Sequence, residues 1–127
     1  MAKTVVIIDD SKFLIRQVEQ FFEKYLGFQV VATGNDGNDA VDLYRKHVPD
    51  LITLDITMPN KDGLQAMREI FAEYPSANVL MISAVRGHAM LECIKLGAKG
   101  YIEKPLKLSD AEFVKDFQET VDEIFSK

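Results

Sequence analysis

Leu51-Ile52-Thr53-Leu54-Asp55-Ile56-Thr57-Met58-Pro59-Asn60-Lys61-Asp62-Gly63 opens as a short, continuously apolar run, the pattern of a strand covered on both faces. It closes abruptly. Pro59 has no N–H to give a ladder, and Asn60 to Gly63 is turn chemistry. Asp55 therefore stands at the carboxyl end of a buried strand and points beyond the sheet. Alone, such a carboxylate reads as a helix cap or a solvated strand end. The rest of the chain changes that reading.

On the N-terminal side, Thr4 to Ile8 is a β-branched apolar run and reads as a first strand. Asp9-Asp10-Ser11 ends it and supplies a cap. Leu14, Val18, Phe21, Phe22 and Tyr25 then recur at helical spacing, predicting a helix to about Leu26 with Gly27 as its stop. Phe13 and Ile15 fall off that apolar stripe and are expected to flank Asp9 and Asp10. Phe28 to Thr33 is the second strand, and Gly34 to Gly37 is a turn. Ala40, Val41, Leu43 and Tyr44 mark a second helix, stopped by Pro49.

On the C-terminal side the same alternation continues. Leu64, Met67, Ile70 and Phe71 predict a third helix, and Asn78 to Ile82 a fourth strand running into Ser83-Ala84. Met90, Leu91, Ile94 and Leu96 predict a fourth helix stopped by Gly97. Lys99 to Ile102 is a fifth strand ended by Lys104-Pro105. Phe113, Val114, Phe117, Val121, Ile124 and Phe125 give the last helix, whose polar face carries Glu112, Asp116, Glu119 and Glu123.

Five strand–helix units in alternation predict an α/β fold: a doubly wound, five-stranded parallel sheet. In such sheets ligands sit outside the carboxyl ends of the strands, where strand order reverses. With the order 2-1-3-4-5, strands one and three meet at that point. Asp9, Asp10 and Asp55 then share one cavity, with Ser83 and Lys104 at the neighbouring strand ends. Converging carboxylates repel unless a cation intervenes, and hard oxygen ligands on loops suit Mg²⁺. A carboxylate is also a nucleophile toward phosphorus, and phosphoryl transfer asks mainly for positioning and charge neutralisation. Lys104 and Mg²⁺ would flank a phosphoryl group on Asp55, and Ser83 would donate to it.

The 127 residues suit one domain with one core. A net charge of −5 argues against nucleic acid and anionic membrane as partners. No apolar run approaches a membrane span, and Met1 to Thr4 leads straight into a strand without room for a signal peptide. Cys93 is the sole cysteine, so no internal disulfide forms, and a cytoplasmic setting is expected. Cys93 reads as a packed thiol, and His47 and His88 as isolated histidines with no zinc spacing.

Asp9-Asp10, Asp55 followed by Met58-Pro59 and Asp62-Gly63, Ser83-Ala84, Tyr101 and Lys104-Pro105 resemble the receiver domain of two-component response regulators. The resemblance covers residues 1–127 as a single receiver domain with no effector domain, similar to the stand-alone, CheY-like chemotaxis type. It implies a flavodoxin-like (βα)5 fold and a phosphorylation-activated switch rather than a classical enzyme. It further implies Asp55 as phosphoacceptor, and Mg²⁺ held by Asp10, Asp55 and the Thr57 carbonyl, with Asp9 on a metal-bound water. Ser83 and Tyr101 would be the switch pair, Lys104 the phosphate contact, and Lys104-Pro105 a cis peptide. The implied partners are a histidine kinase or other phosphohistidine donor, then a flagellar-motor switch protein or a phosphatase, with the protein a monomer. Output would pass through the face of the fourth helix, fifth strand and fifth helix, where Met90, Leu91, Lys95, Lys99, Tyr101 and Lys107 are candidate contacts.

Three rivals are weighed against this. A haloacid-dehalogenase-type aspartyl-phosphate phosphatase places a second carboxylate two residues after the nucleophile, where this chain has Thr57. A flavin- or nucleotide-binding module wants a hydroxyl- or glycine-rich phosphate loop after the first strand, where this chain has two aspartates. A phosphorelay intermediate that passes phosphate to a histidine phosphotransferase has the same chemistry and a different output.

Overall fold

The computed structural model describes residues 2–126. Its elements are β1 (Thr4–Ile8), α1 (Lys12–Phe21) continued by a π-helical turn (Phe22–Leu26), β2 (Gln29–Gly34), α2 (Gly37–His47), β3 (Leu51–Leu54), α3 (Gly63–Glu73), β4 (Val79–Ser83), α4 (His88–Leu96), β5 (Gly100–Glu103) and α5 (Ala111–Phe125). All strands are parallel, in the order β2-β1-β3-β4-β5. This is the expected doubly wound, flavodoxin-like sheet.

Alternation along the central strands divides the core. Val6, Ile8, Ile52, Leu54, Val79 and Met81 face α2, α3 and α4. Val5, Ile7, Leu51, Leu80, Ile82 and Ile102 face α1 and α5. Both faces are buried, which is why these strands read as unbroken apolar runs rather than alternating ones. The α1–α5 side is aromatic: Phe22 packs edge-on to Phe28 at 5.1 Å and to Phe117 at 6.0 Å between centroids.

Two expectations on the first helix need correction. Ile15, expected beside the acidic residues, is buried in the α1–α5 core. α1 packs on both the sheet and α5, so its apolar arc takes in Ile15 and Phe22 as well as Val18 and Phe21. Tyr25, expected on the stripe, is 63% exposed. The wider π turn after Phe21 breaks the 3.6-residue phase, and Tyr25 leans over Phe21 from outside at 5.4 Å. Gly27 stops the helix in the left-handed conformation, as expected. Val48 precedes Pro49 at φ 39, so the second helix ends on a strained β-branched residue.

The carboxyl ends of β2, β4 and β5 each lie one residue beyond their predicted limits. Ser83 and Glu103 thereby become paired last residues of neighbouring strands. Asn78, at the other end, stays out of β4, where its amide donates to the Asp50 carbonyl and its oxygen accepts from Lys99.

Candidate phosphoacceptor site

The sheet register aligns the groups at its carboxyl edge. The Asp55 amide donates to the Ile8 carbonyl at 3.2 Å, and the Lys104 amide to the Ser83 carbonyl at 3.0 Å. These bonds continue the ladders for one step past the strands and fix where each side chain starts. Asp9, Asp55 and Ser83 are buried there, at 2%, 6% and 0% exposure, whereas Asp10 is exposed.

One oxygen from each of Asp9, Asp10 and Asp55 lies within 4.8 Å of the others. Lys104 spans two of them: its ammonium donates to Asp9 Oδ2 at 2.8 Å and to Asp55 Oδ2 at 3.0 Å. The other Asp9 oxygen accepts from the Ser11 amide at 2.9 Å. Burial pushes the Asp9 carboxyl above its ordinary range, against the hydrogen bonds from Lys104 and Ser11. Burial works against the Lys104 ammonium too, but there the hydrogen bonds to Asp9 and Asp55 and their charges prevail, and its pKa is raised. Three carboxylates against one ammonium leave a formal charge of −2 in this pocket. That donor set fits a small, hard divalent cation such as Mg²⁺, with Asp10 open to solvent for the waters such an ion keeps.

Ser83 and Tyr101 meet on the backbone of one residue, Val85, through its two flanking peptides. The Val85 amide donates to Ser83 Oγ at 3.2 Å, and the Tyr101 hydroxyl donates to the Val85 carbonyl. Burial raises the Tyr101 phenol, and the nearby Ser83 hydroxyl pulls it the other way. The Tyr101 ring is half-buried against the α2–α4 side of the core, so it already lies inward here.

The loop between β3 and α3 carries Thr57, whose side chain is exposed. Asp62 caps α3 through the Gln65 amide at 2.8 Å, and Gly63 folds its amide back to the Ile56 carbonyl at 2.8 Å. A Cβ at Gly63 would sit 2.1 Å from the Asp55 carbonyl oxygen. No other residue fits there without moving the backbone of Asp55. Lys104-Pro105 is cis, as the resemblance implies.

The structure thus brings together Asp9, Asp10, Asp55, Lys104, Ser83 and Tyr101. Phe13, 74% exposed, lines a groove of about 550 Å³ beside Lys104 and Pro105. Cys93 is fully buried and its thiol is pushed up by that burial; His47 is half-buried and His88 exposed. Two residues that the sequence offers only as turn formers, Asp36 and Asn60, are hydrogen-bonded to each other beside the site. They lie 24 positions apart, and no local pattern signals their contact.

Residues 5–114 match the family described as response regulator receiver domain. The chemotaxis protein CheY of Bacillus subtilis is 40% identical over 108 residues, covering 84% of this chain and 89% of that one. A protein-glutamate methylesterase/protein-glutamine glutaminase of Oleidesulfovibrio alaskensis is 42% identical over 123 residues, but the match spans only 33% of its length. Among solved structures, CheY in a CheX-CheY-BeF3-Mg complex from Borrelia burgdorferi superposes with a TM-score of 0.88 at 36% identity, covering 98% of this chain and 90% of that one.

Proposed function

The chain belongs to the response regulator receiver domain family, and we propose that it is a phosphorylation-activated switch whose acceptor is Asp55, charged by a phosphohistidine donor such as a histidine kinase in a Mg²⁺-dependent step. The observation that carries this reading is the Lys104 ammonium held between Asp9 and Asp55 at 2.8 and 3.0 Å. It is a cation already aimed at the oxygen that would attack.

In the transfer, an Asp55 oxygen forms the new bond to phosphorus as the bond to the donor's imidazole nitrogen breaks, and that nitrogen keeps the electron pair. Lys104 neutralises charge on the phosphoryl oxygens without a proton transfer. Asp10 and Asp55, with the Thr57 carbonyl, would hold Mg²⁺ directly, and Asp9 would orient a water beside it. When bound, the ion offsets the negative charge of the acids and of the incoming phosphoryl group.

The phosphoryl group adds roughly −1.5 to −2 charge. The buried Ser83 hydroxyl turns to donate to it and releases the Val85 amide. Tyr101 stays on the Val85 carbonyl, so displacement of the Val85 backbone passes into α4. The α4–β5–α5 face is then the output. Leu91 and Ile94 are 55% and 47% exposed there, and Lys95, Lys99 and Lys107 are exposed beside them. This face suits an acidic, amphipathic segment of a partner such as a flagellar-motor switch protein or a phosphatase. The similarity to chemotaxis CheY proteins supports chemotaxis as the setting, with a monomer in the cytoplasm.

Beryllofluoride, a phosphoryl mimic, tests this directly. With Mg²⁺ it should shift the amide resonances of Asp55, Val85 and Tyr101 in the wild type and leave Asp55→Asn unmoved. A wild-type spectrum without response would overturn the assignment.

A further inference from the structure

The loop that follows Asp55 is not held by its own strand and helix alone. Asn60 takes a left-handed backbone, φ 68, which costs an L-residue about 1 kcal/mol and which asparagine tolerates best. Its side-chain amide donates to Asp36 Oδ2 at 2.7 Å. Asp36 caps α2 through its other oxygen, which accepts from the Asp39 amide at 2.9 Å. Next to this bond, the Gly37 amide donates to the Lys61 carbonyl at 2.9 Å. A Cβ at Gly37 would lie 2.3 Å from that carbonyl oxygen, so glycine is what lets the start of α2 reach the loop. The Lys61 ammonium is in turn 2.7 Å from Glu69 of α3, with both side chains partly buried. The start of α2 therefore holds both Asn60 and Lys61, and α3 holds Lys61 as well through Glu69.

We propose that Asp36 is a positioning residue for phosphoryl transfer: through Asn60 it fixes the loop from Ile56 to Lys61, and so the Thr57 backbone beside Asp55. The inference rests on the assignment of Asp55 as phosphoacceptor. Asp36 is not placed to touch substrate or metal. It acts through Asn60, and its carboxylate accepts both bonds in its ionised form, as its lowered pKa reflects, with the Asp39 and Asn60 hydrogen bonds as the chief causes. The loop amides are thereby kept in order before any ligand arrives. Pre-set geometry of this kind is where a reaction governed by positioning gains rate.

The test uses two variants of the whole protein. Asn60→Asp keeps the shape but faces one carboxylate with another. The reversed pair Asp36→Asn/Asn60→Asp restores one donor and one acceptor with the wild-type net charge. In metal-free buffer, amide hydrogen exchange is read at Gly37 and Gly63, whose bonds to the Lys61 and Ile56 carbonyls report the loop. Asn60→Asp should exchange about five- to tenfold faster at both, the effect of one lost hydrogen bond, and the reversed pair should return to within about twofold of wild type. The phosphorylation rate with acetyl phosphate at saturating Mg²⁺ should fall and recover in parallel. Unchanged exchange in Asn60→Asp, no recovery in the reversed pair, or altered exchange with an unaltered rate would each overturn the proposal. A wild type that takes no phosphoryl group would instead overturn the acceptor assignment, and the exchange arm keeps the two failures distinct.

Discussion

Lys104→Met removes the ammonium between Asp9 and Asp55 and keeps most of the side-chain volume. In metal-free protein it leaves two buried carboxylates facing each other without a cation. Lys104 is 18% exposed, and its two partners 3% and 8%, so water screens the loss poorly. Taking one partner from a buried ionic cluster costs about 3 kcal/mol or more, or a melting temperature lower by about 10 °C for a domain of this size. The pH dependence identifies the cause. Burial already raises the Asp9 carboxyl above 3.8, and losing Lys104 removes two influences that hold it down. A carboxyl with a raised folded pKa binds its proton more tightly when folded, so its contribution to stability falls as pH rises from 3.8 through the folded value. Lys104 has its pKa raised above 10.5, so its contribution is complete below 10.5 and is lost as pH rises through the folded value. The deficit of the variant should thus be small in acid, full near neutrality and smaller again in strong alkali. Urea unfolding of both proteins across pH in chelator-treated buffer measures it. A variant as stable as wild type near pH 7, or a deficit that grows toward acid, would refute the reasoning.

Mg²⁺ should raise the wild-type melting temperature, by the equivalent of about 2.7 kcal/mol at a hundred times its dissociation constant; thermal scans with and without millimolar Mg²⁺ check it, and superimposable scans would count against the acidic pocket as a metal site. Thr57 and Val85 offer no carboxylate or amide to orient a water at the phosphoryl group, so phosphate should be lost slowly. A decay time course should run faster in Thr57→Asn and Val85→Glu than in wild type, and equal rates would refute this. Gly63→Ala should cost about 1–3 kcal/mol, because its Cβ would press on the Asp55 carbonyl, and it should slow phosphorylation as well; chemical denaturation and a phosphorylation time course report the two effects, and a variant matching wild type in both would argue that the loop yields freely.

Where chemistry coincided with punctuation, the sequence was readable. Asp9-Asp10, Asp55 and Ser83 each follow an apolar run, Lys104 closes the fifth strand, and parallel topology carries every strand's carboxyl end to one edge. Their convergence follows from strand order, and the ammonium between Asp9 and Asp55 from the register of β4 and β5. The first helix was less readable. Periodicity at 3.6 residues cannot anticipate the π turn that moves Tyr25 outward, nor the second packing partner that draws Ile15 inward. The hold of Asp36 on Asn60 was invisible for another reason. Both residues satisfy local turn rules, and their contact exists only once α2 packs against the β3–α3 loop.

Intact mass after incubation with acetyl phosphate and Mg²⁺ tests the acceptor assignment most directly. Wild type should gain one phosphoryl group, lose it on return to neutral buffer, and gain none when Mg²⁺ is chelated, while Asp55→Asn should gain none under any condition. Full and persistent phosphorylation of Asp55→Asn would contradict the account.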